Sequence, residues 1–109
     1  MVECSSQDEL LALVRNRIVN AFNPLKIILF GSRARGHARS DSDVDLLVVF
    51  SEVSNKREAA IKIRGALQDL PVGKDIIVTT PEEIATRGNM IGSVLRPALQ
   101  EGQVLFERS

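Results

Sequence analysis

A chain of 109 residues, 44% hydrophobic and 26% charged, suits one compact domain spanning 1–109 that buries roughly 60–70% of its unfolded surface, with no room for a second, substrate-binding domain. Fourteen Lys and Arg balance fourteen Asp and Glu, so no overall charge draws it to nucleic acid or membranes, and four Phe without Tyr or Trp make a poor base-stacking platform. The sole cysteine, Cys4, forms no internal disulfide, and neither a signal-peptide pattern nor an apolar run of about 18 residues is present, which together point to a cytoplasmic protein that does not span a membrane.

Ser6 and Glu9 have capping-box spacing, and Leu10, Leu11, Val14, Ile18 and Phe22 follow at helical intervals. A helix over Gln7–Ala21 is predicted, stopped by Pro24. Leu25, Ile27, Ile28, Leu29 and Phe30, bounded by Asn23-Pro24 and Gly31, predict a buried strand. Ser32 to about Gly36 suits a short helical turn, and His37 to Ser42 a loop that reverses the chain into a second strand, Val44–Phe50. That strand is apolar on both faces beyond Asp45, so it belongs at the centre of its sheet.

Ser54 is placed to cap the next helix, in which Ala59, Ala60, Ile63, Leu67 and Leu70 form one stripe while Lys56, Arg57, Lys62 and Arg64 face outward. Pro71-Val72-Gly73 turns the chain into a third strand, Asp75–Thr79. Thr80-Pro81-Glu82-Glu83 supplies cap, first-turn proline and capping-box glutamate for another helix. Gly88-Asn89 interrupts it. Ile91, Val94, Leu95, Ala98 and Leu99 resume the helical pattern, with Pro97 breaking it near Ser93. Glu101-Gly102 ends this helix, and Gln103–Phe106 is a short strand expected at an edge. The sum is an α/β (α+β) domain: a small mixed sheet of about four strands with helices packed on it.

The chemistry gathers between Gly31 and Asp45. Side chains of a strand alternate faces at about 3.3 Å per residue, so Asp43 and Asp45 point the same way, roughly 6.6 Å apart. Two like charges at the head of an apolar strand repel unless something neutralises them. A hard divalent cation does so, and Mg²⁺ takes one or two carboxylates together with substrate phosphates. Gly31 can adopt positive φ and admit a phosphate to backbone N–H groups, with the Ser32 hydroxyl beside it. The Walker pattern is not met, because His37-Ala38 follows Gly36 where Lys-Ser/Thr is required. Arg33, Arg35, His37 and Arg39 make the intervening loop basic, and Arg33 and Arg35, directly after Ser32, are the better placed for phosphate oxygens.

Gly31-Ser32 followed after ten residues by Asp43-x-Asp45, within GSRARGHARSDSDVDLLVV, resembles the signature of the DNA polymerase β-like nucleotidyltransferases, most closely the minimal nucleotidyltransferase (MNT) proteins. The resemblance extends to the short length, the third acidic strand and the closing EGQVLFER segment. It implies the nucleotidyltransferase fold, with Asp75 as a third carboxylate. It also implies two Mg²⁺ ions bridged by Asp43 and Asp45, and ATP or another NTP as substrate with its β and γ phosphates on Gly31 and Ser32. Proteins of this kind pair with a HEPN-domain protein, often a ribonuclease toxin, and adenylylate a tyrosine on it, so the resemblance implies an antitoxin whose acceptor is presented by another protein, with a homo- or hetero-oligomer both open. Two other outcomes stay open: an antitoxin acting by binding alone, and a free-standing transferase for a small hydroxyl compound.

Overall fold

The computed structural model describes residues 7–31, 43–70, 72–87 and 102–108. The first helix, α1, spans Gln7–Phe22. It ends where Asn23 turns to φ 54° and donates its N–H to Val19 O at 3.1 Å, a left-handed cap that satisfies a carbonyl of the last turn. Buried Pro24 follows and delivers the chain into β1, Lys26–Phe30. Leu25 stands just before it and still donates to Val49 O at 2.7 Å. Strand β2 is Val44–Val49, and Phe50 N–H donates onward to Thr79 O at 3.0 Å.

Helix α2 spans Lys56–Ala66. Its cap is Asn55 rather than the expected Ser54: Asn55 Oδ1 accepts from Glu58 N–H at 3.0 Å. Both residues are good cap formers, and the one whose side chain reaches the third helical N–H takes the role. The helix also stops short of Leu70, because Leu67 N–H bonds to Arg64 O, Gln68 N–H to Gly65 O and Leu70 N–H to Leu67 O. These tighter turns keep Leu67 and Leu70 buried after the regular helix has ended. Strand β3 covers Lys74–Thr79, one residue earlier than expected. Helix α3 covers Pro81–Arg87, and Thr80 Oγ1 accepts from Glu83 N–H at 3.3 Å as its capping sequence predicts. Strand β4 is Gln103–Glu107. The Ser6 cap, Cys4, the turn at 32–36, the loop at 37–42 and the helical pattern from Ile91 lie outside the described residues.

The sheet has the order β3-β2-β1-β4. Strand β1 is antiparallel to β2 and to β4, while β2 and β3 are parallel. The sheet is therefore mixed, β2 is interior, and β4 is an edge as expected. One face carries Ile27, Leu29, Leu46, Val48, Ile76 and Val78 against Val14 and Ile18 of α1 and Ile63, Leu67 and Leu70 of α2 and the turns after it. Removing apolar surface from water on this scale is the main source of stability. The other face buries Ile28 and Leu47, with Phe30 and Ile77 packed on them, and this is the face on which Asp45 lies.

Ion pairs brace the periphery. Arg17 grips the Asp69 carboxylate with both guanidinium nitrogens and donates to Ala66 O at 3.2 Å, tying α1 to the end of α2. Lys56 bonds to Glu83, linking the starts of α2 and α3. Lys26 and Glu107, opposite each other on β1 and β4, pair at 3.0 Å. No helix among the described residues is long and apolar enough to cross a membrane.

Candidate active site

Strand register builds the site. Asp45 stands opposite Phe30 on β1 and opposite Asp75 on β3. Neighbouring strands are about 4.8 Å apart, so these residues form one row on one face, and Asp43, two positions before Asp45, continues that face at the strand end. The ladder reaches below β2, because Val44 N–H donates to Gly73 O at 2.8 Å. Asp43 is thereby held beside Gly73. All three aspartates singled out from the sequence thus come to one end of the sheet, from two adjacent parallel strands.

Two glycines make room for the carboxylates. Gly31 leaves β1 at φ +76°, the positive φ anticipated for it, and a Cβ added there would overlap Asp45 Oδ2 and lie 3.1 Å from Asp45 Cγ. A Cβ added at Gly73 would overlap Asp43 Oδ1 and lie 2.8 Å from Asp43 Cγ. Gly73 has the role that sequence reasoning missed. It reads as an ordinary turn residue, and its one available signal is its place two residues before the carboxylate of the third strand.

The electrostatics match this crowding. Asp43 and Asp75 are exposed and Asp45 is half-buried. Burial raises the Asp45 carboxyl above its ordinary range, and the charges of Asp75 and then Asp43 raise it further, the signature of like charges facing one another. The ion pairs formed among the described residues leave all three unneutralised. As placed, no group of three or more acidic, His or Cys side chains among the described residues closes around a single ion. Mg²⁺ needs no such cage. Its octahedral shell is completed by water and phosphate oxygens around one or two carboxylates, so hard oxygen donors in mutual repulsion, backed by two glycines, fit it. Ser32, Arg33 and Arg35, the remaining candidates for phosphate, lie outside the described residues; Gly31 lies within them, adjoining Asp45.

The chain is similar in structure to a candidate nucleotidyltransferase from Sulfolobus solfataricus, at 23% identity and TM-score 0.61 over 91% of this chain and 79% of that one. A toxin–antitoxin complex solved with AMP-PNP contains a similar chain, at 18% identity and TM-score 0.56, covering 90% and 73%. So does the complex of a tri-AMPylated HEPN toxin with an MNT antitoxin from Shewanella oneidensis, at 19% identity and TM-score 0.50, again covering 90% and 73%. These likenesses establish the shared fold. Among curated proteins no sequence matches significantly. The family model for the nucleotidyltransferase domain matches residues 11–105, from α1 through all three carboxylates into β4, and the chain belongs to that family.

Proposed function

We propose that this domain transfers a nucleoside monophosphate, AMP from ATP, to a hydroxyl group of a partner protein with release of pyrophosphate, and that the partner is a HEPN-domain toxin for which it acts as antitoxin. The observation that carries the transfer is the row Phe30–Asp45–Asp75, with Asp43 beside it and Gly31 in positive φ against Asp45. Support for the partner comes from the structural neighbours: an antitoxin of this fold is found with an AMP-carrying HEPN toxin, and another complex of the kind was solved with AMP-PNP.

Each residue then has a task. Asp43 and Asp45 would hold two Mg²⁺ ions, with Asp75, on the neighbouring strand, as a third carboxylate for them. Such cations, when bound, would supply neutralisation of phosphate charge and activation of the acceptor hydroxyl. Gly31 would bring backbone N–H groups close to the phosphates, and Ser32, Arg33 and Arg35, which follow it in the sequence, are the proposed hydroxyl and guanidinium donors to the same oxygens. Holding pyrophosphate in a fixed orientation supplies a good leaving group and spares the entropy of alignment. The acceptor oxygen bonds to the α-phosphorus as the bond to the bridging oxygen of pyrophosphate breaks.

The test separates binding from chemistry. ATP with Mg²⁺ should raise the melting temperature of the wild type, and Asp43→Asn should erase the gain, because a ligand that binds only the folded state stabilises it by mass action. Asp75→Asn should keep most of the gain while losing label transfer from α-labelled ATP. Equal thermal gains in wild type and Asp43→Asn would remove the metal site. A partner toxin still neutralised by Asp75→Asn would show that the protein acts by occlusion.

A further inference from the structure

The carboxylates of Asp43 and Asp45 leave β2 in opposite directions. Asp45 lies against Gly31 at the end of β1, and Asp43 lies against Gly73 at the head of β3, while β2 runs between those two strands. The two glycines differ in what calls for them. Gly31 is at φ +76°, a conformation that favours glycine whatever its neighbours. Gly73 has no positive φ, so its backbone does not require glycine.

Crowding from the fold does not require it either. Gly73 is exposed, and the nearest heavy atoms that an added Cβ would meet all belong to one side chain: it would overlap Asp43 Oδ1 and lie 2.8 Å from Cγ and 3.4 Å from Oδ2. The Asp43 carboxylate thus fills the place of a side chain that β3 lacks. Val44 N–H donates to Gly73 O at 2.8 Å, which fixes the two backbones on either side of that place. Among the described residues no ion pair holds the carboxylate there. Its seat is made by the missing Cβ.

The seat lies in line with Asp75. Residues 73 and 75 share a face of their strand, and Asp75 stands opposite Asp45. Lodged over Gly73, the Asp43 carboxylate stands in the column of Asp75, with Asp45 across from them on β2.

Resting on the metal site of the transferase function proposed above, we propose that Gly73 is a positioning residue: by carrying no side chain it seats the Asp43 carboxylate beside Asp75, and so sets the spread of oxygen donors that a divalent cation meets. A methyl group at residue 73 evicts the carboxylate. Because Asp43 is exposed, its carboxylate can swing into solvent, so the fold loses little while the row loses a donor.

Mn²⁺ is the probe, titrated against the full chain with the free ion read by electron paramagnetic resonance. Gly73→Ala should bind it about tenfold more weakly than the wild type, the loss typical of a residue that orients a ligand. The metal-free variant should melt within about 4 °C of the wild type, and by carbon NMR its Asp43 carboxyl resonance should move further than those of Asp45 and Asp75. Gly65→Ala, a glycine change within α2 whose Cβ meets nothing within 4 Å, should keep the wild-type affinity. The inference is overturned if Gly73→Ala binds Mn²⁺ as the wild type does, if Gly65→Ala loses as much affinity, if the Asp43 resonance stays in place, or if Gly73→Ala fails to fold, since the methyl would then meet more than a mobile carboxylate. A wild type that binds no Mn²⁺ would instead defeat the metal site, and with it the transferase function.

Discussion

Alanine placed at Gly31 and at Gly65 in turn should move the melting temperature in opposite directions. At Gly31 the backbone is at φ +76°, where a Cβ costs an L-residue about 1–2 kcal/mol, and the new methyl overlaps the end of the Asp45 side chain, adding an overpacking cost of about 1–3 kcal/mol. A domain of this length loses about 4 °C per kcal/mol, so the fall is on the order of 12 °C. At Gly65 the helix is regular and a Cβ meets nothing within 4 Å, so the same change should gain about 0.5–1 kcal/mol, or about 2–4 °C. The contribution of the carboxylate can be isolated. In an Asp45→Ala background the overlapping Oδ2 and Cγ are gone and the residue-45 Cβ stays at an ordinary 3.4 Å from the added methyl, so the penalty at Gly31 should shrink toward its backbone part. Thermal melts by circular dichroism on the four proteins of that cycle supply the comparison. An equal penalty in both backgrounds would mean that Asp45 is not packed on Gly31, and a rise at Gly31 would refute the positive-φ assignment as well.

In EDTA, stability should decline as pH rises from the ordinary carboxylate range through the raised value of Asp45, since the folded state holds that proton more firmly than the unfolded chain. Asp45→Asn should flatten this decline, so the variant's advantage appears at neutral pH and fades below the ordinary carboxylate range; urea titrations across pH check it, and an advantage growing toward acid would contradict the sign. Asn55→Ala should cost about 1 kcal/mol by removing the cap on Glu58 N–H, while Ser54→Ala should be nearly silent. Denaturant midpoints distinguish the two, and the reverse order would return the cap to Ser54. MgATP protection should fall in Asp43→Asn and survive in Asp75→Asn, measured as the ligand-dependent melting shift.

Much of this architecture is legible in one dimension because local rules and burial agree. Alternation in a strand places Asp43 and Asp45 together without any knowledge of neighbours, and an apolar run ending in Gly31 announces a turn that needs positive φ. Register is different. That Asp75 stands opposite Asp45 depends on how far β3 slides along β2, which no local pattern encodes, and only the family resemblance offered Asp75 as a partner. Gly73 escaped notice for the same reason: its missing side chain is explained by a residue thirty positions earlier. Ser54 and Asn55 illustrate a finer limit, since both can cap a helix and the path of the chain out of β2 decides between them.

The pairing of Leu29 with Gln103 has a kinetic consequence. Strand β4 joins its neighbour across most of the chain, whereas α2 and β3 follow β2 almost directly. Closing so long a loop costs entropy before any ladder bond repays it. The β2, α2 and β3 unit, which carries all three aspartates, can therefore assemble early, and β4 docks in the last phase of folding. In the native state, its backbone amides should then be among the first strand amides to exchange with deuterium.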